Sequence, residues 1–141
     1  IFMLFKMLQS GQFRANENEL KQLCQDYLKA NVDYYGLGEQ LGPHDVAFLV
    51  GKGGLFVMGS LVSHLINDES GVRLFSAKYS ELSNICEPID FLRKGSDEML
   101  VGRAGFLCGV LLLRKYFNHQ VSLFSCYCFS HFDIEMLANQ I

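Results

Sequence analysis

Two glycine motifs, one repeat apart, constrain this chain more than any other feature. Phe48-Leu49-Val50-Gly51-Lys52-Gly53-Gly54 is followed by an apolar run from Leu55 to Ile66. Asp97-Glu98-Met99-Leu100-Val101-Gly102-Arg103-Ala104-Gly105 is followed by a second such run, from Phe106 to Phe117. Leu49-Val50-Gly51 aligns with Leu100-Val101-Gly102, Lys52 with Arg103 and Gly54 with Gly105, at a spacing of 51 residues. Self-similarity at such a period is the signature of a helical repeat.

Each unit reads as a glycine turn (Gly51 to Gly54, Gly102 to Gly105) opening a helix that is apolar on every side. Such a helix must be surrounded by protein. It is too short to cross a bilayer, which takes about 20 apolar residues. Gly59 and Gly109 fall inside these helices, where glycine costs about 1 kcal/mol relative to alanine. Close packing against a neighbouring helix accounts for them.

Between the apolar helices lie one-sided ones. Leu20, Leu23, Cys24, Tyr27, Leu28 and Val32 trace a stripe along Glu19 to Val32, and Phe75, Tyr79, Leu82, Cys86 and Ile89 trace another, ended by Pro88. Ile1 to Gln9 reads as the tail of a buried helix capped at Ser10-Gly11. Ile134 to Ile141 reads as a last amphipathic helix, and Val121 to Phe129 is ambiguous. Alternation of surrounded and one-sided helices predicts two concentric layers, inner and outer. Successive inner helices then run parallel, and their glycine turns gather at one end. There the helix dipoles favour anions.

The remaining composition excludes several classes. The chain has 141 residues, half of them hydrophobic, enough for a core. A net charge of −3 and a pI near 5.8 give no nucleic-acid surface. Five cysteines, an odd number with no secreted framework, point to a reducing compartment and so to the cytoplasm. No transmembrane segment and no signal peptide is read. The expectation is one partial domain over residues 1–141, truncated at both ends.

The glycine motifs resemble the second and third glycine motifs of the eukaryotic lanthionine synthetase C-like proteins. The resemblance rests on Phe48 to Gly54, on the Glu98-Met99-Leu100 to Gly105 string and on their spacing, and it runs from about Ile1 to Phe117. It implies an all-α fold, an α/α toroid of seven inner and seven outer helices, of which this chain would form an incomplete arc. It also implies a zinc-dependent chemistry, the addition of a thiol, from glutathione or a peptide cysteine, to dehydroalanine or dehydrobutyrine. The family's zinc is held by two cysteines and a histidine in Cys-His-Gly and related motifs, and no Cys-His-Gly occurs here. No metal is therefore expected on this chain, and the chain by itself is expected to be inactive. The resemblance leaves peripheral attachment of the full-length protein at the plasma membrane open.

Two residues carry candidate site roles. Glu98, four before Gly102, stands where the bacterial cyclases have an acidic residue near the metal, and a carboxylate there can transfer protons. The bland alternative is a first-turn Glu favoured by the helix dipole. Arg103 can hold a phosphate or carboxylate of a substrate, or else order the turn or pair with Glu98. Lys52 and Leu55 replace the Asp and Pro of many relatives. Val121 to Phe129 matches nothing in the family.

Other clusters read as decoys. Cys126-x-Cys128-x-x-His131 lacks a fourth ligand and a polar shell. Asp97 and Glu98 are adjacent and point apart, unlike glycosidase carboxylates. His44, His64 and His119 are scattered, and Cys108 reads as a core thiol. Two further functions stay open from the residues alone: a non-catalytic glutathione- or peptide-binding scaffold in signalling, and an unrelated α/α toroid such as a glycosidase.

Overall fold

The computed structural model describes residues 1–38 and 40–117. They form five α-helices and no strand: α1 (Phe2–Ser10), α2 (Glu17–Tyr35), α3 (Lys52–Leu65), α4 (Glu69–Cys86) and α5 (Arg103–Phe117). Single 3-10 turns at Arg14–Asn16 and Pro43–Val46 lie in the connections. Val121 to Phe129, His119, the Cys126-Cys128-His131 cluster and the expected last helix lie outside the described residues.

α3 is the axis of the core. Every residue from Leu55 to Ser63 is buried, as its all-round apolar sequence requires. Its one polar intruder at full burial, Ser60, donates to the Phe56 carbonyl (3.0 Å) and meets Ser76 Oγ of α4 (3.1 Å). α2 packs against α1 and α3 through Leu20, Cys24 and Leu28. α4 packs against α3 through Phe75, whose ring lies where a Cβ on Gly59 would fall. Tyr79 of α4 does the same at Gly109 of α5. Both mid-helix glycines thus let an outer helix approach closely, as their placement predicts.

Residue pairing fixes the helix directions. Gly105 lies against Phe48, Gly109 against Val57, and Phe117 against His64 with ring centroids 4.9 Å apart. α3 and α5 therefore run parallel. Ile1 and Phe2 share a cleft with Leu112, and Phe5 meets the Tyr116 ring edge-to-face at 5.2 Å, so α1 runs the same way. Ser63 faces Gly71 while Gly59 faces Phe75, which makes α4 antiparallel to α3. The carboxyl end of α2, at Asn31 and Tyr35, lies beside Gly51 and Gly54, so α2 is antiparallel as well. Three parallel inner helices (α1, α3, α5) bridged by two outer ones (α2, α4) make an arc of an α/α toroid.

Three sequence expectations need correction. α4 begins at Glu69, ahead of the Phe75 stripe, because Asp68 caps it: its carboxylate accepts from Gly71 N at 3.0 Å and from Ser70 Oγ at 2.6 Å. Those hydrogen bonds, Ser70 first, hold the Asp68 carboxyl below its usual range. α5 is not surrounded. Gly105, Phe106, Gly109, Leu113 and Phe117 are buried, but Leu111 is 56% exposed. The helix contacts of α5 among the described residues are chiefly with α3, and the exposed Leu111 side faces away from it. The two edges of the arc, finally, are not wholly apart. Lys6 Nζ bonds Tyr116 Oη at 2.9 Å beside the Phe5–Tyr116 pair, so α1 and α5 meet at the end remote from the glycine turns.

Candidate functional site at the glycine end

The two glycine turns are built to one plan. A Cβ on Gly51 would collide with the carbonyl of His44, and one on Gly102 with that of Gly95. A Cβ on Gly54 would fall on the Phe48 carbonyl, and one on Gly105 on that of Met99. Each partner carbonyl in the second turn is one repeat on from its counterpart in the first. Glycine is required here by close backbone approach rather than by a left-handed φ. Gly51 is extended (φ −132°) and precedes α3, whereas Gly54 and Gly105 lie within the first turns of their helices. The expected tight turns before the helices are thus partly helix: α3 starts at Lys52 and α5 at Arg103.

Both turns stand at the same end of the arc. Between the first turn and α1 opens a cleft of about 380 Å³, walled by Ile1, Phe2, Phe48, Leu55, Met58 and Leu112 with Asn31 and Tyr35 at its polar side. α1 meets α5 at Tyr116, toward the other end. At the two turns, Leu49, Val50, Met99 and Leu100 stand exposed. This is the end at which the amino termini of α3 and α5 present their positive dipole ends.

Glu98 is exposed at the second turn, outside the helix and apart from the residues that line the cleft. It precedes the first helical residue, Arg103, so it is not a first-turn residue of α5. Its backbone is held firmly: Glu98 N donates to Gly95 O (3.0 Å) and its carbonyl accepts from Gly102 N (2.8 Å). Its carboxylate takes no hydrogen bond or ion pair among the described residues.

Arg103 is placed differently from the substrate-binding expectation. Nε donates to Asp97 Oδ1 at 2.6 Å, Nη1 to the carbonyls of Pro88 (2.7 Å) and Cys86 (3.1 Å), and Nη2 to that of Ile89 (2.9 Å). Its carbon Cζ lies 5.5 Å from the Phe91 ring centroid. The side chain is 11% exposed. Most of the guanidinium donors are engaged within the protein, so an incoming anion finds little of the fork free. Its acidic partner is Asp97, not Glu98. The carboxyl end of α4 is thereby tied to the amino end of α5, which the sequence did not reveal: bonds to main-chain carbonyls leave no trace in residue type. Asp97, six residues before Arg103, was the one readable sign.

The first turn has a weaker version of this arrangement. Lys52 Nζ stands 3.4 Å from Asp45 Oδ1, and Asp45 Oδ2 accepts from Gly42 N at 2.8 Å. The cationic residues at both helix starts are thus already answered by acids of the same turns.

The thiols near the site are of two kinds. Cys86 is fully buried, and burial pushes its thiol up to about 11. Cys108, expected in the core, is half-buried and its Sγ lies 3.6 Å from Met99 Sδ beside the second turn. Among the described residues no three His, Cys, Asp or Glu side chains converge, so these residues do not fit a zinc ion. Nor is any described helix long and apolar enough to cross a membrane.

Residues 3–133 match the family described as Lanthionine synthetase C-like protein. The chain belongs to that family. No solved structure matches it. In this lanthionine synthetase C-like chain, the described residues supply three inner and two outer helices of the toroid, with both glycine turns and Glu98 at one end.

Proposed function

We propose that this chain is the amino-terminal part of a lanthionine synthetase C-like protein that adds a thiol, from glutathione or a peptide cysteine, to dehydroalanine or dehydrobutyrine in peptides or proteins. The observation that supports the reading is the gathering of both glycine turns and an unpartnered Glu98 carboxylate at the same end of parallel inner helices, where the first turn also borders an open cleft. In the addition, sulfur bonds to Cβ, the carbon–carbon π bond breaks, and the resulting enolate takes a proton at Cα. The net transfer carries one proton from the thiol to Cα. Among the described residues of the glycine turns, Glu98 is a group that can relay it. The apolar rim of Leu49, Val50, Met99 and Leu100 suits the flanks of an extended peptide. Zinc, by family resemblance, is held by two cysteines and a histidine in Cys-His-Gly and related motifs, and no Cys-His-Gly occurs in this chain.

The test is direct. The full-length protein, incubated with glutathione and a dehydroalanine peptide, should yield peptide heavier by one glutathione at a rate proportional to protein. Glutathione binding measured by calorimetry without any adduct would favour the non-catalytic scaffold instead.

A further inference from the structure

We infer that Arg103 is a positioning residue that acts through Asp97 to fix Glu98 at the second glycine turn. The inference rests on the proton-transfer reading of Glu98. The segment from Glu87 to Gly102 contains no helix and is held at few points. Ser96 Oγ donates to Leu92 O (3.0 Å) and accepts from Leu92 N (3.3 Å), and Arg103 N donates to Ser96 O (2.7 Å). Main-chain bonds hold the segment at Phe91–Pro88, Glu98–Gly95 and Gly102–Glu98, and the guanidinium adds three carbonyls at the end of α4 on one side and Asp97 on the other. A planar fork can hold several acceptors at fixed angles, where a lysine offers one point charge. Glu98 sits next to the gripped Asp97, its own main chain pinned at both N–H and carbonyl, and its carboxylate left free.

The first repeat supplies the contrast. The residue one period before Glu98 is Ala47, and the one before Arg103 is Lys52, which makes a single ion pair at 3.4 Å. α3 starts correctly with that lesser tie. Starting an inner helix therefore does not demand the guanidinium grip. The grip occurs in the repeat that carries a carboxylate four residues before its first glycine.

Small misplacements of a reacting group can cost as much as 100-fold in rate. Asp97 is 80% exposed, so Asp97→Asn should leave folding intact. In the full-length protein, with glutathione and a dehydroalanine peptide as probes, Asp97→Asn should lower kcat about tenfold with KM unchanged. In a Glu98→Gln background the same change should cost nothing further, because the group being positioned is gone. Arg103→Lys, assayed per mole of folded protein, should repeat that pattern. An equal loss in both backgrounds, or no loss in either, overturns the inference. If Glu98→Gln itself leaves kcat untouched, the reading beneath it fails, and the inference with it.

Discussion

Tyr79 stacks on Phe106, ring centroids 4.9 Å apart and 19° from parallel, and donates its hydroxyl to the Phe106 carbonyl at 2.5 Å. Outer helix α4 is thus keyed to the first turn of inner helix α5 by a buried polar contact, just inside the glycine motif. Tyr79→Phe keeps the ring and deletes the hydroxyl. Because the carbonyl loses a partner in a dry place, the change should destabilise the full-length protein by about 1–2 kcal/mol. A urea melt measures it, and an unchanged midpoint would mean that the bond is worth nothing net.

The glycines of the two turns invert a familiar rule. Alanine in place of a helical glycine normally stabilises by up to about 1 kcal/mol. At Gly54 and Gly105 the new methyl would fall on a main-chain carbonyl, of Phe48 or Met99, and a backbone oxygen cannot swing aside. Gly54→Ala and Gly105→Ala should therefore each destabilise by about 1–3 kcal/mol. Gly11→Ala is a useful contrast: Gly11 has open space around it and only its left-handed φ of +66° to lose, so it should cost less, about 1 kcal/mol. Thermal midpoints of the three variants rank the effects.

The sequence revealed those parts of the molecule that depend on residue type along one helix. The 51-residue spacing became two turns with matching carbonyls, and the unbroken apolar run of α3 became a helix buried from Leu55 to Ser63. The run in α5 looks no different, yet Leu111 is exposed, because an apolar pattern says what a helix can bury and not which neighbours are present. The Phe5–Tyr116 contact between α1 and α5 is of the same kind: it depends on how the arc bends. Arg103 was readable as a cation at a helix start, but its carbonyl partners were not. Glu98 was found by its distance from Gly102. That it stands before the helix, with a free carboxylate, came only from the fold.

Burial of Cys86 gives a pH dependence of known sign. Well below pH 9.0 its thiol is neutral in folded and unfolded chains alike. As pH rises from 9.0 toward about 11, the unfolded chain sheds the proton first, and folding is disfavoured. The loss should reach on the order of 2 kcal/mol. Burial raises the Cys24 thiol in the same direction. Urea midpoints of the full-length protein should fall over this alkaline window, and Cys86→Ala should remove part of the slope. Iodoacetamide at about pH 8 should modify Cys108 while sparing Cys24 and Cys86 until the protein unfolds.

The open edges of the arc bear on the isolated chain. Phe2 and Met3 of α1 and Leu111 of α5 stand exposed, along with the rim around Leu49 and Met99. Every 100 Å² of such surface left in water forgoes about 2.5 kcal/mol, against a whole-domain stability of about 5–15 kcal/mol. Residues 1–141 expressed alone should aggregate or melt without cooperativity, and should not catalyse glutathione addition. Light scattering and a thermal melt decide between that and a soluble, cooperative monomer, which would show that these helices close a core of their own.

Glu98 carries the functional claim, and one rate decides it. The measurement is turnover of a dehydroalanine peptide with glutathione by full-length protein carrying Glu98→Gln, alongside its melting temperature and bound zinc. General acid–base groups contribute at least about 100-fold. We expect kcat to fall by about that factor with folding and zinc content unchanged. Turnover equal to the unaltered protein would remove Glu98 from proton transfer and leave it a loop residue at the second glycine turn.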